Sequence, residues 1–175
     1  MTASPHKPKL IMDACVLIDC IDSDQSIFGL IKNSFGPICV INEIVKEVKS
    51  IESTEQLIPL GLILVEPELE DCLDAHTVNK ATSFNDNLCF LTAKRNGYIC
   101  VTNDKSLKKL CAKHNVRSMW GLELITKLHD RGCISTDEAL KLGEKIKTNN
   151  FQITSETMED FRQQVLLNNK KRAEL

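Results

Sequence analysis

A three-layer α/β/α sandwich around a central parallel sheet, with a C-terminal helical extension, is the fold predicted by this 175-residue sequence. Three observations carry the expectation. Short β-branched runs alternate with helical patterns along the first two-thirds of the chain. The helical patterns between them are about ten residues long, enough for a right-handed crossover that covers a parallel sheet on both faces. Beyond Gly121 the strand signal stops and only helical spacing remains.

The elements follow in order. Leu10-Ile11-Met12 reads as a strand, followed by a helical stretch with a second piece over residues 25–33. Ile38-Cys39-Val40-Ile41 is the next strand. After it, Ile44, Val45, Val48 and Ile51 recur at helical spacing, with Asn42 as a cap. Leu62-Ile63-Leu64-Val65 is a short third run closed by Pro67, and residues 68–80 read as an acidic, exposed helix. Phe84, Leu88 and Leu91 mark a helix that stops at Gly97. Tyr98-Ile99-Cys100-Val101 is a strand, Leu107, Leu110 and Cys111 carry a helix, and residues 116–120 close the strand series. Leu124, Ile125 and Leu128 form a helix ending at Gly132. Ser135 and Glu138 form a capping box for a second, and Thr154 caps a third. One domain spans residues 1–175. Its core lies at about 9–119, the C-terminal helices at about 120–167, and a polar, basic tail that is expected to fray at 168–175.

Bulk properties exclude several classes. Apolar residues make up 42% and charged residues 26%, the balance of a folded soluble chain, and a net charge of −2 gives no bulk attraction to nucleic acid. Any such attraction must come from local basic patches or bound cations. The eight cysteines include no Cys-x-x-Cys pair and no zinc spacing, and Cys39, Cys89, Cys100 and Cys111 sit inside apolar runs. Reduced, mostly buried thiols are expected. No secretory leader is read in the polar opening, which carries Pro5 and Pro8. The longest apolar stretch, residues 57–65, is too short to cross a bilayer. A soluble, cytoplasmic protein without membrane contact is expected.

Four carboxylates fall where a parallel sheet presents its ligands. Asp13 directly follows the first strand, and Asp104 follows Val101 after only Thr102 and Asn103. Asp86 lies in the first turn of its helix and Glu47 one turn into the helix after the second strand. The crevice outside the carboxyl ends of the strands is the usual binding edge of such sheets. Singly, each has a structural reading: Asp13 and Asp104 as helix N-caps, Asp86 in a capping box with Ser83, Glu47 paired with a neighbouring lysine. Converging, they would repel one another unless a cation lay between them. A set of oxygen ligands without Cys or His selects Mg²⁺ or Mn²⁺.

These segments resemble the motifs of PIN domains. Ile11-Met12-Asp13-Ala14-Cys15-Val16-Leu17-Ile18-Asp19 is similar to the opening motif. Ile41-Asn42-Glu43-Ile44-Val45-Lys46-Glu47-Val48 is similar to the second, whose ligand falls on Glu47 rather than Glu43. Ser83-Phe84-Asn85-Asp86 with Ala93 resembles the third, and Val101-Thr102-Asn103-Asp104 the fourth. The resemblance covers about residues 9–119 and departs from the family at Cys15, where Ser or Asn is common. It implies a metal-dependent endoribonuclease with Mg²⁺ or Mn²⁺ held by Asp13, Glu47, Asp86 and Asp104, supported by Thr102 and Asn103. RNA contacts are expected at Lys94, Arg95, Lys105 and Lys109, with Lys108, Lys113 and Arg117 as further basic candidates. Many bacterial and archaeal members are toxins of type II toxin–antitoxin pairs. The implied partners are therefore RNA, an antitoxin protein and a second copy of the chain.

Rival folds fail on chemistry. A haloacid-dehalogenase-like phosphatase needs a second Asp two residues after the first, where Cys15 stands, and a receiver domain needs paired acids at the first strand. The remaining alternative is a catalytically silent PIN-like module acting through protein or RNA contacts. The apolar stripe Met158, Phe161, Val165 and Leu166 is left with two readings. It packs on the sheet or on the helix of Leu140 and Ile146, or it forms a protein interface.

Overall fold

The structure is a computed structural model and describes residues 9–173. The chain runs β1 (Leu10–Met12), α1 (Ala14–Ser23), α2 (Ile27–Phe35), β2 (Ile38–Ile41), α3 (Asn42–Val45), a 3₁₀ turn (Thr54–Gln56), α4 (Leu57–Leu60) and β3 (Leu62–Val65). It continues with α5 (Leu69–Asp74), α6 (Phe84–Asn96), β4 (Ile99–Val101), α7 (Lys105–Lys113) and β5 (Ser118–Met119). Then come α8 (Gly121–Asp130), α9 (Thr136–Asn149) and α10 (Ser155–Ala173).

All strand pairings are parallel, and the order across the sheet is β3-β2-β1-β4-β5. Every residue of β1 and β2 is buried, which is why these strands read as unbroken apolar runs rather than alternating ones. Helices α6 and α7 pack on each other, and α6 also lies on β1 and β4, while α1 packs on α9 and α2 on α8. The architecture is α/β with a central parallel sheet, consistent with a three-layer sandwich. From β1 the chain steps outward to β2 and β3, then returns to the other side of β1 to lay down β4 and β5. That reversal opens a crevice at the carboxyl ends of β1 and β4.

Four elements differ from expectation. The acidic helix over 68–80 shrinks to α5, and the chain then turns because Asn87 Nδ2 occupies the carbonyls of Ala75 and Asn79 at 2.9 and 2.8 Å. Helix α3 stops at Val45, capped at Ile41 instead of Asn42, because the following bonds tighten to three-residue spacing: Glu47 N to Ile44 O and Val48 N to Val45 O. Glu47 therefore sits in a turn and not in a helix. The last strand is confined to β5, since Trp120 N–H is taken by Glu123 Oε2 at 3.3 Å to start α8. Helix α10 continues past Asn168, where a frayed tail was expected, and Asn168 Nδ2 donates to Asp130 Oδ1 of α8 at 2.5 Å. Residues 174 and 175 of that expected tail lie outside the described residues.

All eight cysteines are free. No helix among the described residues is long and apolar enough to cross a membrane.

Candidate metal centre

The register of the two central strands sets the site. Met12 pairs with Val101, so Asp13 and Thr102 leave the sheet side by side at its carboxyl edge. Asp13 is 3% exposed and Thr102 wholly buried. Thr102 Oγ1 donates to Asp13 Oδ2 at 2.8 Å and accepts from the backbone N–H of Asp104 at 3.0 Å. One hydroxyl thus ties the first carboxylate to the chain carrying the fourth.

Cys15 Sγ completes the contact set, donating to Asp13 Oδ2 at 3.1 Å and accepting from Asn103 N at 3.2 Å. Burial and the charge of Asp13 push this thiol up, so it stays a protonated donor. At this position the thiol performs the hydrogen bonding that a hydroxyl or amide would supply.

Asp86 and Glu47 reach the same edge from other elements. Asp86 stands in the first turn of α6, in a capping box with Ser83: Ser83 N donates to Asp86 Oδ2 at 2.9 Å, and Asp86 N to Ser83 Oγ at 3.1 Å. Its charge acts on Asp13. Burial first, and the Asp86 carboxylate after it, push the Asp13 carboxyl up to about 6, against the lowering bonds from Cys15, Thr102 and Ala14 N–H. Asn85, next to Asp86, donates through Nδ2 to Glu47 Oε1 and so holds the turn after α3 against the start of α6.

All three aspartates also start helices, as their structural readings predicted. Asp13 Oδ1 accepts from Ala14 N at 2.8 Å and Asp104 Oδ1 from Leu107 N at 2.6 Å. Among the described residues, no group of three or more His, Cys, Asp or Glu side chains is drawn tightly enough to hold a metal ion. The donor set nevertheless suits a hard divalent cation in its chemistry, being all carboxylate oxygen, with Asp13 and Asp86 already acting on each other.

No family model matches this chain, and no curated protein does.

The basic residues divide between the two edges of the sheet. Lys105 opens α7, directly after Asp104. Lys94 and Arg95 lie in the last turn of α6, which Gly97 closes in the left-handed conformation (φ 67°) that glycine adopts without strain. Asp86 and Arg95 are thus about 13 Å apart along one helix, and Arg95 is committed to Asp71 at 2.8 Å and to Glu70. The expected RNA contacts at Lys94 and Arg95 therefore stand at the opposite edge from the carboxylates. Lys109 is exposed on α7, one turn beyond Lys105.

Two features escaped the sequence reading. Asp19, 5% exposed on α1, accepts from Asn103 Nδ2 at 2.8 Å and from Asn150 Nδ2 at 2.9 Å. Asn103 Oδ1 in turn accepts from Gly121 N at 3.0 Å. This network braces the loop before Asp104 against the C-terminal helices. A polar residue inside the apolar face of α1 was its only visible signal. Glu43, set aside in favour of Glu47, has its Oε2 buried without a hydrogen-bond partner among the described residues, while Lys46 Nζ lies 3.7 Å from its Oε1.

Proposed function

We propose that this chain is a PIN-type, Mg²⁺- or Mn²⁺-dependent endoribonuclease acting in the cytoplasm, the toxin member of a type II toxin–antitoxin pair. The observation that carries the reading is the Thr102 hydroxyl, which joins buried Asp13 to the backbone of Asp104 at the crevice where the strand order reverses. Asp13, Asp86, Asp104 and Glu47 are the residues to hold the cation. A divalent ion bound there supplies the charge that lowers the pKa of a water and stabilises the leaving oxygen. Thr102 and Cys15 orient Asp13, Asn85 positions Glu47, and Lys105 meets a phosphate at the mouth of the crevice. In the hydrolysis a water oxygen bonds to phosphorus, the bond to the 3′ oxygen breaks, and that oxygen takes a proton. No 2′-hydroxyl nucleophile is needed, so the products carry a 5′-phosphate and a 3′-hydroxyl.

One observation favours the second reading, a catalytically silent module of the same fold: the three aspartates serve as helix caps without drawing into a tight cluster. The two readings separate in one experiment. Purified protein is expected to cleave RNA with Mn²⁺ or Mg²⁺ and to stop in EDTA. Asp13→Asn is expected to lower turnover at least about a hundredfold, the cost of losing one strong electrostatic contact in a transition state, and to lower Mn²⁺ affinity while keeping the fold. Cleavage that persists in EDTA removes the metal mechanism. Absence of both cleavage and Mn²⁺ binding selects the silent module. An antitoxin and a second copy of the chain are the protein partners of the first reading, and co-purification from the native host tests for them.

A further inference from the structure

Beside the carboxylates lies a cavity of about 600 Å³ between α8, α10 and the loop joining α9 to α10. Asn103 and Lys105, the residues flanking Asp104, are among its lining residues, so the cavity adjoins the segment that carries Asp104. Trp120, the only tryptophan of the chain, lines it with 37% of its surface exposed, and Lys108 Nζ stands 4.8 Å from the indole centroid. Gln152 and Gln164 bring amides to the walls, and Ile153 and Phe161 apolar surface.

We propose that this groove takes a base of single-stranded RNA next to the scissile phosphate, stacked on Trp120, an inference that rests on the nuclease reading above. The volume suits a small polar ligand. Aromatic surface with side-chain amides is the chemistry that recognises an unstacked base. The lining argues against a phosphate as occupant. Three carboxylates face the cavity: Glu123 is paired with Lys127 at 3.5 Å, Asp130 accepts from Asn168, and Asp160 has no cation within salt-bridge distance among the described residues. An uncharged base tolerates Asp160, and its amino groups can donate to it. Lys105 and Lys108 are placed for the strand's phosphates.

The single tryptophan makes the test direct. Intact protein in EDTA is titrated with single-stranded 2′-O-methyl RNA hexamers of random sequence, with inorganic pyrophosphate as the phosphate-only control. Hexamers are expected to quench Trp120 fluorescence saturably and pyrophosphate to leave it unchanged. In the metal-supported cleavage assay, Trp120→Ala should raise KM about tenfold, in line with the loss of one base–aromatic stack, with kcat little changed. Trp120→Phe should restore most of the loss. Quenching by pyrophosphate alone, or cleavage with normal KM in Trp120→Ala, overturns the base site and leaves the nuclease reading standing. Saturable quenching by RNA without any cleavage retains the base site and overturns the nuclease reading. Neither quenching nor cleavage overturns both.

Discussion

Asp19 is a buried carboxylate that accepts from the side-chain amides of Asn103 and Asn150. Burial pushes its carboxyl from an ordinary 3.8 up to about 6, helped by the charge of Asp22 and opposed by the bonds from Asn150 and Asn103. The stability contributed by the protonated form is complete below about pH 4 and is lost as pH rises to about 6, because between those values only the folded chain keeps the proton. The difference corresponds to at most about 3 kcal/mol. Asp19→Asn removes this dependence while keeping an oxygen to accept from Asn103 and Asn150. Its melting temperature relative to wild type should therefore be more favourable at pH 7.5 than at pH 4.5, and an offset that does not change with pH would refute the argument. The sequence shows Asp13 and Asp104 plainly, since each follows a strand within three residues. It cannot show Asp19 as a brace, because Asn103 and Asn150 come to it from 84 and 131 residues away. Thr102 was legible as a support of the site, but its bond to Asp13, 89 residues away, was not.

At the scale of elements, α9 and α10 meet at a glycine. A Cβ built on Gly143 would lie 2.3 Å from Phe161 Cε1, so the two helices meet closely only because position 143 has no side chain. Met158, Phe161 and Val165 are all buried, and α10 packs on α8 and α9, so these three belong to the core, while Leu166 faces solvent at 47% exposure. Gly143→Ala should cost about 1–3 kcal/mol through overpacking, although alanine is the better helix former. Pairing it with Phe161→Leu should recover part of that loss, whereas purely additive costs in denaturant titrations would deny the contact. The stripe at helical spacing was legible. Gly143 reads as a weak point inside a helix, and only the crossing of two helices gives it meaning. Helix α5 was overestimated for a related reason: Asn87, which takes the carbonyls beyond it, lies in the next helix.

For the whole molecule, strand number and direction followed from apolar runs separated by crossover-length helices, and the parallel sheet is as expected. The order of the strands was not legible, because nothing local to β4 says that it returns to the far side of β1. The extension is part of this whole. Helix α10 buries Met158, Phe161 and Val165, and Asn150 just before it reaches Asp19. Cutting the chain after Asn149 should remove several kcal/mol, comparable with the total stability of an ordinary domain. The shortened chain is expected to lose cooperative thermal unfolding or to precipitate. A truncated protein that unfolds cooperatively near the intact melting temperature would show that α10 is dispensable to the core.

The bond from Thr102 to Asp13 spans 89 residues, and this has a consequence for biogenesis. During synthesis the ribosome delivers Thr102 and its strand 89 residues after Asp13. The closure of so long a loop is costly in entropy and slow. Until it closes, a nascent chain carries the first acidic residue with no hydroxyl beside it and no neighbouring carboxylate from α6. On the proposed nuclease reading, such a chain lacks the assembled site, and cleavage is expected only after the sheet has joined its two sides.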